Sequence, residues 1–164
     1  MKCLIFSDSH GSSRNMRSAI MKNMDAEVIF FLGDGLSDAE LLSQEFPEKC
    51  WICVRGNCDF TSAFRGGDVG KVERINLGGF RIVLTHGDLY DAKYSTDRLK
   101  YLALSENADI LLFGHTHNPY EEYVSDDDHP FYLFNPGSIS HYDGSFGVLM
   151  LANAPLLSHG KIEL

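Results

Sequence analysis

Three apolar runs near the start of the chain, residues 2–6, 28–32 and 50–54, each stop at a polar turn that contains glycine. The first two turns, Ser7-Asp8-Ser9-His10-Gly11 and Gly33-Asp34-Gly35, lead into helical periodicity. Met16, Ala19, Ile20 and Met24 recur at helical spacing, and Leu41, Leu42 and Phe46 follow before Pro47 closes the second segment. Ser12 or Ser13 is the expected N-cap of the first helix, and Ser37 or Asp38 that of the second. Strand, turn and helix in repeated succession require parallel pairing with crossover helices. The front of the chain is thereby restricted to an α/β sheet.

After the third run, which ends in Arg55-Gly56-Asn57-Cys58-Asp59, the rhythm changes. Residues 60–71 read as a surface loop. Lys71–Leu77 and Phe80–Thr85 are joined by Gly78-Gly79, a hairpin signal, and the second strand delivers His86-Gly87-Asp88. A helix is expected from about Thr96 to Glu106, then a strand from Asp109 to Phe113 that runs into Gly114-His115-Thr116-His117. Tyr120–Val124 and Phe131–Phe134 form a second hairpin around Asp126-Asp127-Asp128. Asn135-Pro136-Gly137-Ser138 is a turn, Gly147–Leu151 a strand, and Lys161–Leu164 a final edge strand. Early crossovers and late hairpins together predict two mixed sheets packed together with helices outside.

Ligands of open α/β sheets collect at the carboxyl ends of the strands. Five such ends here carry Asp8, His10, Asp34, Asn57, His86, His115 and His117. In extended backbone His115 and His117 point to the same side, so that turn offers a chelating pair. Four of the seven histidines sit at these ends, and imidazole with carboxylate is a donor set suited to first-row metals. Seven donors exceed what one ion with an open position needs. Two ions sharing a bridging carboxylate would bind a phosphoryl group jointly and lower the pKa of a bridging water, which makes phosphoester hydrolysis the leading chemistry.

Bulk properties agree with a small enzyme. At 164 residues the chain fits a single domain, residues 1–164, able to bury roughly two thirds of its unfolded surface. A net charge of -9 with no lysine or arginine block argues against a nucleic-acid or anionic-membrane footprint. Cys3, Cys50, Cys53 and Cys58 are expected to be buried and reduced, the Cys50 and Cys53 sulfurs on opposite strand faces. The apolar stretch after Lys2 is too short for a signal peptide, and no run approaches the roughly 20 residues of a membrane span, so the expected location is cytoplasmic.

In order and over nearly the whole chain, Asp8-Ser9-His10, Gly33-Asp34, Gly56-Asn57, His86-Gly87 and Gly114-His115-Thr116-His117 resemble the five motifs of the calcineurin-like metallophosphoesterase superfamily. The short length, Gly56-Asn57-Cys58-Asp59 and Asn135-Pro136-Gly137-Ser138 resemble its small YfcE-like phosphodiesterase branch. The resemblance implies a four-layer α/β/β/α sandwich of two mixed β-sheets flanked by helices. It also implies two divalent ions, one held by Asp8, His10, Asp34 and His117 and the other by Asp34, Asn57, His86 and His115, with Asp34 as bridge. Manganese is the metal such enzymes usually use, and the ligand set also admits nickel, iron, zinc, cobalt or magnesium. The activity implied is a phosphodiesterase in which a metal-bridging hydroxide attacks a small phosphodiester, with Asp34, Asn57, His86 and Asp59 in the catalytic set and Asn57, Cys58 and His141 near substrate.

Two departures from the family pattern stand out. Many members carry histidine where this chain has Cys58, and a thiol with an ordinary pKa near 8.5 is a poorer proton donor than imidazolium. Small relatives often place an arginine after the Asn-Pro-Gly-Ser turn, where this chain has Ser140-His141-Tyr142-Asp143. His141 is the candidate replacement, while Arg14 and Arg65 are read as solvated surface that could also reach substrate. The alternatives are a phosphomonoesterase on the same site, or a non-catalytic metal-binding scaffold like the retromer subunit of this fold. Tyr90, Tyr94, Tyr120, Tyr123 and Tyr142 are a candidate surface for a partner or for homo-oligomer formation.

Overall fold

A computed structural model describes residues 1–140 and 142–162. Strands β1 (Lys2–Phe6), β2 (Val28–Phe31) and β3 (Cys50–Cys53) pair in parallel and are joined by helices α1 (Ser13–Lys22) and α2 (Leu36–Glu45). A two-stranded hairpin, β4 (Ala63–Phe64) and β5 (Gly67–Asp68), occupies the expected loop. Strands β6 (Val72–Leu77), β7 (Phe80–Thr85), β8 (Ile110–Leu112), β9 (Pro119–Val124) and β10 (Phe131–Pro136) form the second sheet, in the order β6-β7-β8-β10-β9. The chain then returns through β11 (Ser145–Leu151) and β12 (Pro155–Lys161), which complete the first sheet as β12-β11-β1-β2-β3. Both sheets are mixed, as expected.

Alternation along the strands builds three apolar layers. Cys3, Ile5, Val28 and Phe30 face Ile82, Leu84, Ile110 and Leu112 of the opposite sheet. Leu4, Phe6, Ile29 and Phe31 point the other way, against Met16, Ile20, Ala39 and Leu42 of α1 and α2. Val83, Leu111 and Leu133 pack under Leu99, Leu102 and Ala103 of α3 (Asp97–Ser105). Strands covered on both faces have no solvent side, and so β1, β2 and β8 read as unbroken apolar runs.

Several local expectations are corrected. Helix α2 begins one residue after Gly35, and Asp38 lies within it, its carboxylate accepting from Ser9 Oγ at 2.6 Å and the Gly11 amide at 2.8 Å. Leu41 and Met24, both placed in helical stripes, are 52% exposed; Leu36, Ala39 and Leu42 form the buried face instead. Cys50 and Cys58 are exposed, whereas Cys3 and Cys53 are buried as expected, and all four are free thiols. The last strand runs over Pro155–Lys161, because pairing of Leu151 with Pro155 and Ser145 with Lys161 fixes its register, and residues 163–164 of the expected edge strand lie outside the described residues. Asn135 and Pro136 belong to β10 and pair with Tyr120 and Pro119, so the turn begins after them. Among the described residues, no helix is long and apolar enough to cross a membrane.

Candidate metal centre

Backbone hydrogen bonds stitch the strand ends together. The Asp8 amide donates to Gly33 O at 2.9 Å, the His10 amide to Asp34 O at 3.1 Å and the Gly114 amide to His86 O at 3.0 Å. The turns come this close because Gly33 and Gly56 have no side chains. A Cβ on Gly33 would lie 2.8 Å from Gly56 Cα, and one on Gly56 would lie 2.6 Å from the Asp34 amide. Asp8, His10, Asp34, His115 and His117 all have positive φ, between 45° and 68°. Such backbone costs on the order of 1 kcal/mol or more per residue and persists only where surrounding contacts over-determine it. Five of the eight non-glycine positive-φ residues described are therefore expected ligands, a concentration that points to function.

The side chains meet as two clusters. In one, His117 Nε2 lies 3.2 Å from both Asp8 Oδ1 and His10 Nε2. In the other, His86 Nε2 lies 3.3 Å from Asp34 Oδ2 and 3.1 Å from His115 Nδ1. His86 Nε2 is also 4.0 Å from Asp8 Oδ1, which links the two. Asp8 and His86 are fully buried and Asp34 nearly so, whereas His10 and His117 reach solvent. Asp34 belongs to two donor groups, one with His86 and His115, the other with His10 and Cys58.

The hydrogen bonds leave the donor atoms that a cation needs. Asp8 Oδ2 accepts from Ser7 Oγ at 2.6 Å and the His115 amide at 3.0 Å, while Asp8 Oδ1 is buried without a hydrogen-bond partner among the described residues. An orphaned buried carboxylate oxygen costs free energy, and a cation held with His10 and His117 satisfies it. His86 Nδ1–H donates to Leu32 O at 2.8 Å, which leaves the Nε2 lone pair facing Asp34. Asp34 Oδ1 accepts from the Cys58 amide at 2.7 Å. The donor set thus fits divalent metal.

Charges respond to this crowding. Burial pushes the Asp34 carboxyl upward, but His86 and the Cys58 amide outweigh it and hold the group well below the usual carboxylate range. Burial likewise opposes the charged form of His86, and Asp34, Asp8 and the Leu32 carbonyl overcome it, leaving the imidazole above its ordinary value. His115 is lowered by burial, then by His86 and Lys93. His117 is raised by the adjacent Asp8 carboxylate, whose Oδ1 lies 3.2 Å from Nε2.

Of the other expected site residues, Asn57 is exposed beside the cluster, its Nδ2–H donating to Cys58 Sγ at 3.2 Å. His141 lies outside the described residues. Asp59, expected in the catalytic set, accepts from four backbone amides. Its Oδ1 accepts from the Gly35 and Leu36 amides, both at 2.8 Å, and its Oδ2 from Asp34 at 2.9 Å and Gly56 at 2.7 Å. It caps α2 and fixes the Asp34 turn to the Gly56 turn. Ser7, Asp38 and Ser138, whose Oγ donates to Asp8 O at 2.8 Å, brace the same turns and were invisible as site residues in the sequence. A cavity of about 350 Å³ opens beside this cluster, lined by His10, Asp34, Cys58 and the fully exposed Phe60.

A family model for the calcineurin-like phosphoesterase superfamily domain matches residues 1–153. The chain belongs to this superfamily. It is 32% identical over 157 residues to the probable metallophosphoesterase YsnB of Bacillus subtilis, covering 93% of this chain and 86% of that one. It is 31% identical over 173 residues to the phosphodiesterase YfcE of Escherichia coli, covering 91% and 87%. Among solved structures, the zinc complex of Vps29 from Entamoeba histolytica superposes with a TM-score of 0.71 at 19% identity, covering 98% and 99%, and shares the fold. The chain is therefore a metallophosphoesterase related to YfcE, and its Asp and His side chains form groups that could hold metal ions.

Proposed function

We propose that this chain is a divalent-metal-dependent phosphodiesterase acting on a small phosphodiester. The observation that supports the reading is the buried Asp8 Oδ1, which accepts no hydrogen bond among the described residues and lies between His117 and His86, flanked by two Asp/His clusters. Asp8, His10 and His117 would hold one ion and His86, His115 and Asn57 a second, with Asp34 shared between them. Ions bound there, manganese first among the candidates, supply Lewis acidity toward the phosphoryl oxygens and acidify water.

The chain's own groups then have separate tasks. Asp34, kept ionised, offers Oδ2 on the His86 side while its Oδ1 is fixed by the Cys58 amide. The Leu32 carbonyl holds the His86 ring so that Nε2 cannot turn away. Cys58 sits where a proton donor for the departing alcohol would act, and burial together with Asp34 pushes its thiol upward, which suits esters whose leaving groups need no proton. The protein works in the cytoplasm as a single domain on a small-molecule substrate, with self-association through exposed tyrosines such as Tyr123.

The test is turnover of a chromogenic phosphodiester, and of the monoester of the same phenol, by chelator-stripped protein titrated separately with manganese, magnesium, nickel and zinc. Diester turnover that returns with metal supports the reading. Faster monoester turnover makes the protein a phosphomonoesterase. Tight metal binding with no turnover of either leaves a scaffold, the reading that a fold shared with Vps29 keeps in play.

A further inference from the structure

A second cavity, of about 270 Å³, shares no lining residue with the one beside Cys58. Thr116, between His115 and His117, forms one wall. Ala92 forms another and packs over the turn after His86, where a Cβ on Gly87 would lie 3.1 Å from Ala92 Cβ. Both walls are thus continuous with backbone that carries proposed metal ligands.

The floor is aromatic and stiff. Phe113 is 1% exposed and meets Tyr120 edge to face, with ring centroids 6.0 Å apart. The Tyr120 hydroxyl donates to Glu122, which is itself paired with Lys100 at 2.7 Å. Tyr94, by contrast, is 91% exposed at the rim, on a tight turn in which its amide donates to Asp91 O at 2.8 Å. Lys93 also lines the cavity and has no hydrogen bond or ion pair among the described residues, whereas nearby Lys71 and Lys100 are neutralised by Asp88 and Glu122.

We propose that this cavity is the subsite for one ester substituent of the substrate, that it selects a planar aromatic group stacked between Tyr94 and Tyr120, and that Lys93 meets an anionic phosphoryl oxygen. The assignment rests on the phosphodiesterase reading above and names the substrate class within it, aryl or nucleoside phosphodiesters rather than small alkyl ones. Tyrosine faces and edges give an aromatic guest attraction that an alkyl group lacks. An ammonium with no partner among the described residues, in a chain of net charge -9, supplies local positive charge for the singly charged phosphoryl group of a diester.

The experiment compares phenylphosphonate with methylphosphonate, which share the anionic headgroup and resist hydrolysis, by calorimetry on the manganese-loaded full chain. Phenylphosphonate should bind about fivefold tighter, within the range that one aromatic contact provides. Tyr94→Ala, which truncates an exposed side chain, should bring the ratio to about one without changing methylphosphonate affinity. Lys93→Gln should weaken both ligands by a similar factor. Phe60→Ala, at the other cavity, should leave the ratio intact. Equal affinities in the wild type, a ratio indifferent to Tyr94, loss of the ratio in Phe60→Ala, or failure of both ligands to bind would each overturn the assignment. Turnover of bis(p-nitrophenyl) phosphate is measured alongside. A phenyl preference without turnover keeps the subsite and removes the hydrolytic reading, and turnover without the preference does the reverse.

Discussion

Asp59→Asn separates architecture from chemistry at this site. The carboxylate accepts four backbone amides, two on each oxygen, from Asp34, Gly35, Leu36 and Gly56. A carboxamide can satisfy only one of those pairs, and its NH2 group would face the other two N–H groups donor to donor. Hydrogen bonds to a charged acceptor contribute about 1.5–3 kcal/mol each, so losing two gives roughly 3–6 kcal/mol before solvent intervenes. Asp59 is only half-buried, and water recovers part of this, leaving about 2–4 kcal/mol. For a chain of this size that lowers Tm by about 5–15 °C. Urea denaturation should show a lower midpoint with an unchanged slope. Metal affinity should fall as well, because the Asp34 turn is no longer tied to the Gly56 turn. A variant that unfolds at the wild-type midpoint yet has lost turnover would refute this account and put the carboxylate in the reaction itself.

Adding metal to chelator-stripped protein at a hundredfold excess over Kd should stabilise it by about 2.7 kcal/mol, a Tm rise of about 5–10 °C. Asp34→Asn should remove most of that rise and most turnover; a full rise in the variant would show that Asp34 is not shared. In metal-free protein the raised His86 pKa stabilises the fold below the unfolded value of about 6.5, and that contribution is lost as pH rises through the folded value. Because coordination needs the neutral ring, calorimetric metal affinity should increase from about pH 6 to about pH 8, and a flat profile would contradict proton release from His86. Gly56→Ala sets a Cβ 2.6 Å from the Asp34 amide and should cost about 1–3 kcal/mol in urea denaturation together with much of the metal affinity. Wild-type metal binding in that variant would mean the two turns can separate freely.

What local chemistry dictates was legible in the chain itself. Unbroken apolar runs marked β1, β2 and β8 because strands buried on both faces need no polar alternation, and Gly78-Gly79 marked the β6–β7 hairpin because few residues accept positive φ. The order of histidines, aspartates and glycines at the strand ends identified the family, whose model spans residues 1–153. Long-range contacts decided the rest. Strand β12, with His159 and Gly160 inside it, has little strand character and exists through its register with β11; His159 stacks on Phe134 at 4.4 Å and bonds to the Asn135 carbonyl at 2.8 Å. Asp38 read as a cap and Asp59 as a member of the catalytic set, yet each binds backbone amides brought from another turn. The left-handed backbone at Asp8, His10, Asp34, His115 and His117 and the orphaned Asp8 oxygen likewise have no local signature. Periodicity and turn chemistry are properties of neighbouring residues, whereas hydrogen-bond partners and strained dihedrals are fixed only when distant strand ends converge.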